Sequence, residues 1–315
     1  MTKSKLDFKS NADMSNLLLV CKCRVRWFRS LMFLFTLVIC QGVHADGSEN
    51  NNANVKQVNA PNDDKELPLW ELGLGVGGLH QPYYVGTEQT RTFAFPVPVP
   101  VYRGDVLKSD DDGMRAELIK NSRFKLDLSL DFNLAVDSDD VDLRTGMNDI
   151  GSLLQVGPSL QFKIADNDDH QWLFNLPLRA NLEFQDGIDS AGYTFAPNLT
   201  YFNYFSWSGK PWRAGVALGP QFGSKDYQNT YYGVASEFAT EARPEFSADS
   251  GYSGSRLLLS LRSKDKDRLW VWFLRYENIS GASFEDSPLV ETSRGLSVGV
   301  IYSRFLFKSK KTVRR

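Results

Sequence analysis

From Phe124 to Val136 the chain reads FKLDLSLDFNLAV. Phe124, Leu126, Leu128, Leu130, Phe132, Leu134 and Val136 are apolar, and Lys125, Asp127, Ser129, Asp131 and Asn133 alternate with them; Ala135 completes the odd set. This is the period of a β-strand with one greasy and one charged face. Its 13 residues exceed an ordinary globular strand of about 5–6 residues.

The pattern recurs along the chain. Leu154, Val156, Leu160, Phe162 and Ile164 oppose Gln155, Ser159, Gln161 and Lys163. Trp172, Phe174, Leu176, Leu178, Leu182 and Phe184 oppose Asn175, Arg179, Asn181 and Glu183. Residues 212–222 (WRAGVALGPQF) and 294–305 (RGLSVGVIYSRF) repeat it with aromatics near their ends. Such segments match spanning β-strands of about 9–11 residues bordered by aromatic girdles. A soluble sandwich or lipocalin-like barrel alternates in the same way, with its apolar face turned inward. Strand length, aromatic ends and cysteine placement favour the membrane. The expected fold is all-β, a transmembrane antiparallel β-barrel of about 12 strands, with 10 as the alternative.

Loop lengths support this arrangement. Long segments at 137–151, 185–191, 224–252 and 281–293 alternate with short ones at 120–122, 166–170, 207–210 and 264–266. Outer-membrane barrels have long external loops and short periplasmic turns. Ten strands follow from about residue 93, and 69–79 (LWELGLGVGGL) reads as another. An even count then requires a further strand within 80–102, where Pro96, Pro98 and Pro100 suit a sheet edge better than its centre.

The ends of the chain read differently. Residues 1–45 are expected to be a cleaved signal peptide, with a basic stretch, the apolar run LMFLFTLVIC and small residues before Asp46. Residues 46–67 read as a disordered leader, 68–307 as the barrel and 308–315 (KSKKTVRR) as a basic tail, either an electrostatic patch or a solvated end. Cys21, Cys23 and Cys40 all precede Asp46, so the mature chain is expected to carry no disulfide and no thiolate chemistry. The net charge of −2 offers no footprint for nucleic acid.

No catalytic constellation emerges, nor a cofactor or metal site. His170 stands among Asp166, Asp168 and Asp169, which reads as a solvated turn. The runs SDDDG (109–113) and DSDDVD (137–142) lack calcium-loop spacing and read as turns; facing outward, they also offer places for cations that bridge lipopolysaccharide.

Six short motifs occur in order: LWELGLGVGG (69–78), PYYVG (82–86), PVPVYRGD (98–105), VGPSL (156–160), GPQFGSKDYQNTYYGV (219–234) and DSPLV (286–290). On these the chain resembles the MipA/OmpV family of outer-membrane proteins. The resemblance implies a non-enzymatic barrel without a cofactor. It also implies a scaffold that brings a lytic murein transglycosylase to a bifunctional murein synthase. Pro82, Tyr84, Gly86, Tyr102, Gly104, Asp286, Ser287 and Pro288 are the interaction candidates. The other expected partners are outer-membrane lipid and lipopolysaccharide. The basic tail departs from the aromatic terminus usual in the family. Two rival functions stay open: a small-solute channel, from charges on the polar strand faces, and an external adhesion or binding protein, from the long loops. If the even face of 124–136 meets lipid, Leu130→Arg should be costly and Ser129→Arg tolerated.

Overall fold

The computed structural model describes the chain from Glu66 to Arg314 apart from residues 104–106, 111–112 and 121–122, and of residues 107–120 the backbone only. The signal peptide and the leader up to residue 65 lie outside the described residues, as does Gly104. The strands are β1 (Glu66–Pro68), β2 (Trp70–Pro82), β3 (Thr90–Arg103), β4 (Leu107–Asp110), β5 (Gly113–Lys120), β6 (Phe124–Asn133), β7 (Ser152–Asp166) and β8 (His170–Phe184). They continue as β9 (Ile188–Phe195), β10 (Asn198–Trp207), β11 (Lys210–Gly223), β12 (Gly251–Asp265), β13 (Arg268–Asn278), β14 (Arg294–Lys308) and β15 (Thr312–Arg314). Among the described residues one α-helix, α1 (Lys225–Tyr232), lies between β11 and β12.

Thirteen strands, β2 to β14, form one antiparallel sheet that closes on itself. Closure falls where β8 and β11 each pair with both β9 and β10. β9 and β10 therefore occupy one wall position, interrupted at Ala196 and Pro197, so the wall has twelve positions. Pro197 has no N–H to give the ladder, and the Ala196 N–H bonds the Pro177 carbonyl across the break at 3.2 Å. The strand needed for an even count is β4, after residue 102 rather than within 80–102.

β4 is short, and β3 pairs with it only at Tyr102 and Arg103. Along 90–101, β3 has a strand partner only on its β2 side among the described residues. The prolines fit this. Pro96, Pro98 and Pro100 keep register with Val76, Leu74 and Leu72, so their nitrogens sit at positions that donate nothing to β2 and face the open edge. A backbone donor missing there costs no ladder bond.

The two faces of the wall have the sense the sequence predicts, except that Phe132, expected on the greasy outer face, is buried beneath the loops. On β6, Phe124 is 37% exposed, whereas Lys125, Asp127 and Ser129 are 5%, 5% and 1% exposed. Val76, Ile164, Leu178, Leu218 and Leu296 are likewise exposed, while Gln155, Gln161, Asn175, Asn181 and Ser303 are buried. This inversion of a soluble protein is a lipid-facing exterior around a polar lumen. Aromatics gather outside at the short-turn end, where register places Trp70 beside Tyr102, Phe124 beside Phe162, Trp172 beside Tyr201 and Trp270 beside Tyr302. β6 stops at Asn133, short of the expected Val136, because Val136 turns into the loop core and bridges Ile150.

One sector of the lumen is apolar. Phe95, Val97, Val99 and Val101 of β3 pack with Leu79, Leu269, Ile301 and Phe305. Glycines make room for the rings: a Cβ on Gly77 would lie 2.5 Å from the Phe95 ring, and one on Gly299 would lie 2.2 Å from Phe273. The glycine-rich LWELGLGVGG segment is thus the floor on which inward-facing aromatics lie.

Below the barrel β1 and β15 form a two-stranded sheet, pairing Leu67 with Val313. The last residues of the expected leader and part of the basic tail are therefore ordered against each other.

Candidate functional site

The long-loop end is a packed cap. Loops 83–89, 134–151, 224–250 and 279–293 meet in one cluster that buries Tyr84, Val136, Val141, Ile150, Tyr231, Tyr232, Ile279 and Phe284. Tyr232 stacks on Phe284 at 3.6 Å between ring centroids. Helix α1 supplies Tyr231 and Tyr232; Ser224 caps its N-terminus, its side chain accepting from the Tyr227 N–H.

The motif residues lock this cap. The Tyr84 hydroxyl donates to the Leu289 carbonyl at 2.8 Å, and burial holds the Tyr84 phenol above its ordinary pKa, so it remains a donor. Ser287 Oγ donates to the Tyr232 carbonyl at 2.7 Å, and the Tyr232 hydroxyl donates to Val85 at 2.7 Å. Gly86 has φ +113°, which strains any other residue, and its carbonyl accepts from the Glu291 and Thr292 N–H groups at 2.7 and 3.1 Å. Pro82 ends β2, and Asp286 and Pro288 flank Ser287 in the same loop. Tyr102 is not part of this set; it sits at the opposite end, exposed in the aromatic girdle opposite Trp70.

Two arginines escape the sequence reading. Arg144 is buried and donates to Ser138 Oγ and to the Tyr231 and Asn148 carbonyls; burial lowers its pKa. Arg243 ties loop 224–250 to loop 134–151 through the Leu143 and Thr145 carbonyls at 2.8 and 3.1 Å. Nothing in the sequence marks either one, because the bonds that join the two loops go to backbone carbonyls 87 to 100 positions away, Tyr231 for Arg144 and Leu143 and Thr145 for Arg243.

Beneath the cap the lumen is filled by paired charges. Glu277 accepts from Arg256 at 2.9 and 2.8 Å, and Arg275 Nε lies 3.3 Å from its other oxygen. Asp131 lies 3.5 Å from Arg179 and 3.7 Å from Arg256, and the Arg179 Nε–H donates to Ser129 Oγ at 2.8 Å. The sequence expectation for Ser129→Arg fails here. Ser129 is buried against Arg179, and a new cation would meet that guanidinium and displace the hydroxyl it binds.

At the turn end Glu71 is buried beneath three cations, with Arg103 at 2.6 Å, Lys308 at 3.3 Å and Lys264 at 3.8 Å. The tail folds back over this cluster: the Ser309 N–H bonds the Trp70 carbonyl, and the Leu69 N–H bonds the Lys311 carbonyl, both at 2.8 Å. His170 pairs through Nδ1 with the Tyr201 hydroxyl at 2.7 Å and Asn203 at 2.9 Å.

A closed antiparallel wall with a greasy, aromatic-belted exterior and a charge-paired lumen defines an outer-membrane β-barrel protein. More narrowly, the chain belongs to the MipA family: the family profile described as "MltA-interacting protein MipA" matches residues 74–305. No curated protein matches the chain. Among solved structures, a bacterial polysaccharide outer membrane secretin aligns with 8% identity and TM-score 0.36 over 75% of this chain and 99% of its own. The outer membrane protein OprG from Pseudomonas aeruginosa aligns with 10% identity and TM-score 0.23 over 77% of this chain and 96% of its own. The CymD monoaromatic hydrocarbon channel aligns with 10% identity and TM-score 0.30 over 75% and 88%.

Proposed function

We propose that this protein is a non-enzymatic outer-membrane scaffold that holds a lytic murein transglycosylase near a bifunctional murein synthase. The family's description supports the first partner, since it names its members as MltA-interacting. The observation that carries the scaffold over the channel is the cap. Tyr84, Tyr231, Tyr232 and Phe284 bury one another across the loop mouth, and the motif residues Tyr84, Gly86 and Ser287 hold it shut through hydrogen bonds. A barrel closed outside presents its working surface at the other end. By the loop-length rule that end faces the periplasm, where murein enzymes act. There the β1–β15 sheet and Lys308, Lys310 and Lys311 form an ordered basic platform beside the Tyr102 girdle. Lipid and lipopolysaccharide surround the wall and the cap.

Affinity capture with the folded, tagged protein from envelope extracts tests this reading. Both murein enzymes should be enriched over an unrelated barrel. Recovery of neither above background removes the scaffold role.

A further inference from the structure

A cavity of about 120 Å³ lies in the lumen directly under the cap. Four arginines line it, Arg91, Arg179, Arg256 and Arg275, against one lining carboxylate, Glu277. Counting Asp131 behind Arg179 and Arg256 still leaves two cations in excess. At this cavity Arg91 Nε is buried without a hydrogen-bond partner, while Arg275 Nε is ion-paired to Glu277 at 3.3 Å. Arg91 is otherwise held in place: it donates to the Ala135 carbonyl at 2.7 Å and stacks over Tyr83 at 4.9 Å. The remaining lining mixes hydrogen-bonding residues such as Gln155, Thr194 and Ser297 with aromatic and aliphatic ones such as Tyr227, Leu134 and Ile279.

We propose that this cavity is a binding site for a small anionic solute bearing a carboxylate or phosphate, held between Arg91 and Arg275 above the Arg179–Arg256 pair. A fixed Arg91 guanidinium with a spare N–H, in a lining with excess positive charge, matches the planar or tetrahedral oxygens of such ligands, and the buried setting strengthens each charge-assisted bond. A second cavity, lined by Ser129, Asp131, Ser159, Asn175 and Thr200, adjoins it and shares Arg179 and Arg256. The site is independent of the scaffold reading, since a barrel that captures no murein enzyme still holds the anion.

Isothermal titration of the detergent-folded barrel with inorganic phosphate and with succinate, at matched ionic strength, tests the site and separates the two chemistries. At least one probe should give saturable one-site binding, weakened at least tenfold in Arg275→Gln and in Arg91→Gln. Arg91 lies outside the lumen ion pairs, so its variant decides the matter if Arg275→Gln does not fold. No saturable heat with either probe overturns the proposal. So does unchanged affinity in a variant that keeps the gel mobility of the folded barrel.

Discussion

Replacing Glu277 with alanine should destabilise the folded barrel by about 3–5 kcal/mol. The carboxylate is buried and accepts two bonds from Arg256, with Arg275 also within 3.3 Å. Deleting it leaves those two guanidinium groups facing Arg179 with Asp131 as the remaining nearby acid. A buried ion set loses most when one partner vanishes, because the survivors keep their desolvation cost and lose its compensation. The double variant Arg256→Met/Glu277→Met removes both sides and should be less destabilised than the sum of the single variants. Urea unfolding in lipid vesicles, followed by tryptophan fluorescence, reads both. A Glu277→Ala barrel within about 1 kcal/mol of the parent, well below the cost of breaking a buried pair, would show that the lumen charges are independently hydrated.

Leu130→Arg should cost roughly 2–4 kcal/mol in the same assay, and Phe124→Arg only about 0–1 kcal/mol. The difference comes from depth. Leu130 lies six residues up β6 from Phe124, which belongs to the girdle at the turn end. An arginine beside the girdle reaches the headgroups; one near the middle of the bilayer does not. Ser129→Arg is not the benign control that alternation suggests, because Ser129 is 1% exposed and receives the Arg179 Nε–H. Ser129→Asn keeps an acceptor for Arg179 and can place its extra atoms in the cavity that Ser129 lines, so it should cost less than about 1.5 kcal/mol. Equal costs at Leu130 and Phe124 would contradict a lipid-facing even face.

The wall was legible because membrane strands obey a simple rule on two faces. Where lipid lies on one side and paired charges on the other, as in β6, β7 and β8, period two appears directly in the residues. β3 was counted but shows no period, because Phe95, Val97, Val99 and Val101 face an apolar lumen sector while prolines face outward, so both sides read alike. β4 hides because four residues carry no period. The cap was not legible at all. Its central bond joins Tyr84 to Leu289, 205 positions away, and Arg144 and Arg243 act on carbonyls that any sequence would offer. The motifs did mark Tyr84, Gly86 and Ser287, but what they share in space is a lid, whereas Tyr102 belongs to the far rim.

That lid decides between a scaffold and a pore, and planar-bilayer recording of the folded full-length barrel addresses it most directly. With Tyr84, Tyr232 and Phe284 packed across the mouth and Arg179, Arg256 and Glu277 paired beneath, the parent protein should insert without steady ionic conductance. A sustained, stepwise current from the parent barrel would contradict the closed cap and return the protein to the channel reading.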